Sequence, residues 1–200
     1  MKSYLNPPKR VDIIPPPITT DPHIESFVVF DIETTGLSRT QEIIEIGALR
    51  VRERRVTEKF STFVRPRRSI PYQIQEITGI SNLMVLDAPR IDEVLPSFLN
   101  FIGDDILMGH NIISFDSKFI CRDAAELGVN LKNPLFDTHT YAKRLKKASV
   151  PMPESLSLAS LCNLFRIERM NEHRAYDDAL ANAKVFYLLR ALEEKYGKKQ

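Results

Sequence analysis

Phe27-Val28-Val29-Phe30-Asp31-Ile32-Glu33-Thr34-Thr35-Gly36-Leu37 is the most informative segment of the chain. Apolar and β-branched residues running into a threonine pair and a glycine describe a buried strand that ends in a tight turn. Strand side chains alternate faces, so Phe27, Val29, Asp31 and Glu33 share one face, with the two carboxylates roughly 6–7 Å apart along it. Burying two like charges costs several kcal/mol unless something cationic compensates, and the stretch contains no lysine or arginine. A hard divalent cation held by carboxylate oxygens, Mg²⁺ or Mn²⁺, is the natural compensation. An isolated Asp-x-Glu also arises at strand ends whose acids simply reach water, so the metal reading needs further acids on apolar faces.

The rest of the chain bounds the problem. Its 200 residues, 43% hydrophobic and 27% charged, suit one soluble domain with a substantial core. No apolar run is long enough to span a membrane and no apolar leader opens the chain, so no membrane association is expected. Only Cys121 and Cys162 are present, which argues against a disulfide framework and for a reducing, cytoplasmic setting. A net charge of +2 neither demands nor excludes a polyanionic partner.

Residues 1–24 hold six of the 13 prolines and no periodic pattern, so they read as an extended arm. The domain is expected over 25–196, with 197–200 a basic tail. After the first strand, Glu42–Arg52 and Lys59–Val64 read as two more strands of a meander. Arg50, Arg52 and Arg54 share a face of the kind usually solvated. A short helix within Ile70–Ser81, with apolar residues at 74, 77 and 80, closes at Gly79; a longer one carries Ile91, Val94, Leu95, Phe98 and Ile102. Asp105–Asn111 reads as a strand and its exit, and helical patterning resumes at Phe115 to end at Gly128. Leu135–Thr138 leads into a basic helix with Lys143, Arg144, Lys146 and Lys147, a small helix lies within Ser155–Cys162, and a long helix runs to about Tyr196. Strands alternating with helices make this an α/β protein.

Three more candidate residues emerge from the register. Asp116, in a first helical turn, lies on or beside the buried stripe, where it either caps the helix or faces the core. Helical steps from Asp178 reach Val185, Leu189, Leu192 and Tyr196, whereas those from Asp177 reach Lys184 and Lys195, so Asp178 is the inward acid. His173, five residues earlier, would diverge from Asp178 by about 140° on a continuous helix and must lie in the loop before it to converge. Four acids and a histidine are what phosphodiester hydrolysis with two divalent ions requires, since the ions activate water and steady the leaving oxygen while an imidazole takes the proton.

Phe30–Leu37, His110–Asn111 with Phe115–Asp116, and His173–Asp178 resemble, in order, the three motifs of the DEDDh group of DnaQ-like 3′-to-5′ exonucleases. Ile43–Ala48, Ile77–Ile80 and Ser157–Cys162 extend the resemblance over about 25–196. It implies a ribonuclease H-like fold with a mixed five-stranded sheet flanked by helices. It also implies metal binding by Asp31, Glu33, Asp116 and Asp178, and His173 as general base. Thr34, Thr35 and Gly36 would cradle the terminal nucleotide, with Leu37 against the base and Phe115 near the sugar. The implied substrate is a single-stranded 3′ end, DNA rather than RNA, released as nucleoside 5′-monophosphates in proofreading or repair. RNA trimming, or a non-catalytic module on the same fold, are the rival readings. The family's polymerase subunit carries a polymerase-binding tail, whereas this chain stops near its final helix, so a polymerase partner stays open. The basic clusters 65–68 and 143–147 are candidates for tracking phosphates.

Overall fold

The computed structural model describes residues 9–169 and 173–196. Its centre is a five-stranded sheet in the order β3-β2-β1-β4-β5, built from β1 (Ser26–Thr34), β2 (Ile43–Arg52), β3 (Arg55–Phe63), β4 (Ile106–Gly109) and β5 (Leu135–Asp137). The first three strands pair antiparallel as a meander, and β4 and β5 add in parallel with β1, which makes the sheet mixed. Parallel pairing needs crossovers, supplied by α2 (Ile91–Ile102) before β4 and α3 (Asp116–Glu126) before β5.

Alternation along β1 divides the core. Phe27 and Val29 pack with Phe136, Phe186 and Leu189 on the side of α4 (Thr138–Lys147), α5 (Leu158–Phe165) and α6 (Ala175–Tyr196). Val28, Phe30 and Ile32 pack with Leu95, Phe98, Phe119 and Ile120 of α2 and α3 on the other. Asp31 and Glu33, continuing the odd series, therefore open toward α6. The helix α1 (Tyr72–Thr78) stops at Gly79, whose φ of 68° lets its N–H reach the carbonyl of Gln75. Ile80 is buried but Ile77 is not, so the apolar stripe expected through 77 is not continuous.

Two expectations differ from the structure. The third strand begins at Arg55, ahead of Lys59, because the tight turn through Glu53 and Arg54, both at positive φ, starts the pairing early. That puts Arg54 outside the strand, so it does not share a strand face with Arg50 and Arg52. Nor is that pair a solvated row: both guanidiniums converge on Asp105, and Arg50 also meets Glu58 at 2.7 Å. Within the arm, residues 9–24 form no helix, but Ile18 bridges Leu135: the Leu135 N–H donates to the Pro17 carbonyl and the Thr19 N–H to that of Leu135. The arm thus satisfies backbone groups at the exposed edge of β5. The first eight residues of the arm and the basic tail at 197–200 lie outside the described residues.

Candidate active site

The carboxyl ends of the parallel strands β1, β4 and β5 meet where the chain switches direction across the sheet, the usual location for a site in such folds. Glu33, His173 and Asp178 come together there, with one ligand atom from each within 4.8 Å of the others. Asp116 is 3% exposed and its Oδ1 accepts from the Ile32 N–H at 3.3 Å, so it faces the backbone between Asp31 and Glu33 and is not a helix cap. Asp178 is buried on the first turn of α6, as its register predicts, and Asp177 lies on the more open side.

The segment carrying Asp116 is held by Asp137 at the end of β5. Its carboxylate accepts from the N–H groups of Asn111 (3.1 Å) and Ile113 (3.3 Å) and also caps α4 through Thr140 at 3.1 Å. His110, part of the second motif, is half-buried between Thr138 and the Leu156 carbonyl, each at 3.0 Å from a ring nitrogen. Burial, then the neighbouring His139, pulls its pKa down to about 4, so it is a neutral framework residue.

Helix α6 is seated by β2. Glu45, directly across the ladder from Glu33, is buried and accepts from Arg174 at 2.8 Å and from the Ala175 N–H at 3.1 Å. Gly47 lies opposite Asp31, and a Cβ there would sit 2.1 Å from the Tyr176 nitrogen. Only the bare backbone lets α6 start this close. His173 precedes the helix, exposed and at φ 59°, as its expected place in the loop requires.

These acids outnumber the nearby cations. Burial first, then Asp116, Glu33 and Asp178, raises Asp31 well above the usual carboxylate range. Glu33 is pushed up to about 8 by burial and by Asp178, Glu45 and Asp116, against a smaller pull from Arg174. Burial takes Asp116 to about 7 and also raises Asp178, which Arg169 partly offsets by donating to its Oδ1 at 2.5 and 3.1 Å. Carboxyl groups crowded so that their charges would go unmatched on ionisation suit hard divalent cations, which bind the ionised form. Arg169 and Arg174 escaped the sequence reading, which sought compensating charge only next to Asp31.

The turn after β1 is internally bonded. The Thr35 N–H donates to the Glu42 carbonyl at 2.8 Å, its hydroxyl to Gln41 at 2.8 Å, and the Thr34 hydroxyl to the Gly36 carbonyl at 2.8 Å. Among the described residues nothing accepts from the N–H groups of Gly36 or Leu37. Leu37 is 85% exposed, and Phe115, half-buried, packs its ring 5.0 Å from that of Phe119.

The chain is similar to known proteins in both sequence and fold. The sequence model of the RNase_T family, described as exonuclease, matches residues 28–186. DNA polymerase III subunit epsilon of Aquifex aeolicus is 39% identical over 177 residues, covering 86% of this chain and 84% of that protein. DNA polymerase III PolC-type of Clostridium perfringens is 43% identical over 174 residues, but this chain spans only 12% of its length. E. coli exonuclease I in complex with a dT13 oligonucleotide superposes with a TM-score of 0.75 at 18% identity, over 88% of this chain and 43% of that one. Exonuclease X in complex with 5′-overhanging duplex DNA gives 0.60 at 25% identity, over 86% and 93%. With the family profile spanning most of the sheet, the three motifs converging at one strand end and a full-length relative at this identity, the chain belongs to the DnaQ-like 3′-to-5′ exonucleases.

Proposed function

We propose that the protein removes nucleotides from single-stranded DNA 3′ ends, releasing nucleoside 5′-monophosphates, with two divalent ions, Mg²⁺ or Mn²⁺, held by Asp31, Glu33, Asp116 and Asp178. The supporting observation is that Glu33, Asp178 and His173 meet at one strand end, with Asp31 and Asp116 close enough for their charges to raise the neighbouring carboxyl groups. Bound there, such ions would lower the pKa of water and neutralise the scissile phosphate.

The remaining steps belong to the chain. His173, exposed and beside Glu33 and Asp178, takes the proton of the attacking water on an imidazole nitrogen. The N–H groups of Gly36 and Leu37 face the terminal nucleotide, with the Leu37 side chain available to a base and Phe115 to a sugar. Thr34 and Thr35 support this cradle through their internal bonds, since the Thr35 amide is already committed to Glu42. Two relatives are named as DNA polymerase III proteins, which supports DNA as substrate, a proofreading or repair setting in the cytoplasm and a polymerase as a candidate partner.

The test incubates 5′-labelled single-stranded DNA and RNA of matched sequence with the protein in Mg²⁺, Mn²⁺ or EDTA, alongside Asp31→Asn and Asp178→Asn. A metal-dependent ladder shortening from the 3′ end on DNA, lost in both variants, is expected. Faster loss of RNA would make the protein an exoribonuclease, and intact but bound substrate in every metal would make it a non-catalytic module.

The raised carboxylates also fix a pH signature. Glu33 and Asp116 hold protons in the folded protein at pH values where the unfolded chain has released them, so folding binds protons between roughly pH 4 and 8. Stability in EDTA is therefore full at the acid end of that window and declines as pH rises through it. Mn²⁺ binds the ionised form, so its increment in melting temperature should grow from about pH 6 to about pH 8. An increment that does not change with pH would remove these carboxylates from the metal site.

A further inference from the structure

The two basic clusters of the sequence have different surroundings. On α4, Lys146 donates to the carbonyls of Pro153 and Glu154 at 2.8 Å, and Arg144 reaches Glu193 and the Thr20 carbonyl. These side chains tie loops and the arm to the body. The 65–68 cluster instead lines an open groove of about 880 Å³ on the α2 and α3 side of the sheet.

Six arginines line that groove against three carboxylates. All three acids already have partners: Glu42 accepts from the Arg67 N–H at 3.0 Å, Asp123 from Arg122 at 2.6 Å, and Glu126 from Arg10 at 3.2 Å. The side chains of Arg39, Arg67 and Arg68 are exposed and meet no carboxylate among the described residues. Thr35, Gln41 and Glu42 line the groove as well as bracing the turn after β1, so it opens beside the nucleotide cradle.

We infer that this groove carries the phosphate backbone of the substrate strand upstream of the terminal nucleotide, through Arg39, Arg67 and Arg68. The inference rests on the reading of the chain as acting on single strands and adds the path the strand takes. Guanidiniums spaced along an open channel suit a repeating phosphodiester and confer no base preference. Each phosphate neutralised on a single strand contributes a slope of about −0.7 to log affinity against log salt.

The test is fluorescence anisotropy in EDTA, where no cleavage intervenes, with a labelled thymidine dinucleotide and an oligothymidylate of about 12 residues at several salt concentrations. For the Arg39→Ala, Arg67→Ala, Arg68→Ala triple variant, affinity for the longer strand should fall on the order of 10- to 100-fold and the salt slope should shrink by about 2. Dinucleotide affinity should move far less, and Lys143→Ala with Lys147→Ala should leave the longer strand's affinity within about twofold. The corresponding triple Arg→Lys variant should keep the slope, which preserves the test if the alanine protein melts early. Wild-type affinity and slope in the alanine variant, or equal losses on both probes, would overturn the groove. Groove binding by a wild-type protein that cleaves nothing in Mn²⁺ would instead overturn the exonuclease reading and leave this inference standing.

Discussion

His173→Ala is expected to slow nucleotide release by about 10²- to 10⁴-fold, the range for losing a positioned general base, while DNA binding in EDTA stays near the wild-type value. The histidine is exposed, its backbone sits in the left-handed region at φ 59°, and a ring nitrogen lies within 4.8 Å of a carboxylate oxygen of each of Glu33 and Asp178. A non-glycine residue held in that region carries strain that the surrounding contacts must outweigh. Here those contacts are the Arg174 and Ala175 bonds to Glu45 immediately after it. Single-turnover rates at saturating Mn²⁺ separate the proton step from binding. A drop of less than tenfold would take the base role away from His173, and partial recovery with added imidazole would secure it.

Gly47→Ala should be the most destabilising single-methyl change near the site. Its Cβ would lie 2.1 Å from the Tyr176 nitrogen and 2.3 Å from the Ala175 carbonyl carbon, both main-chain atoms that cannot rotate away. Relief requires moving the start of α6 off the sheet, and with it His173 and Asp178. Overpacking of this kind costs about 1–3 kcal/mol, and the fixed backbone puts this site at the upper end. For a chain of this size that is roughly 6–12 °C in melting temperature. Because Asp31 is the cross-strand neighbour of Gly47, metal affinity should fall too. A variant that melts within about 2 °C of wild type and keeps its Mn²⁺ affinity would show that α6 is not seated by this contact.

The parts of the site legible in the sequence are those set by local periodicity. A period of two puts Asp31 and Glu33 on one face of β1, and a period of 3.6 separates Asp178 from Asp177; both orientations hold in the structure. The need for His173 to converge with Asp178 likewise placed it before the helix, where it is found. The ordered motifs carried the family and the mixed five-stranded sheet with them. Gly47 and Glu45 lay in plain view within Ile43–Ala48, yet nothing local says that a helix begun about 130 residues later rests on them.

Local periodicity settles which of the site's acids face inward on β1 and α6, because those orientations follow from bond geometry within one element. How the charges are matched depends on the folded arrangement. That arrangement set Arg174 on Glu45, Arg169 on Asp178, and both Arg50 and Arg52 on Asp105. It also left Arg39, Arg67 and Arg68 lining an open groove and laid the arm along the edge of β5. Charge pairing depends on distance through space, and chain folding brings together residues whose separation along the sequence carries no period to read.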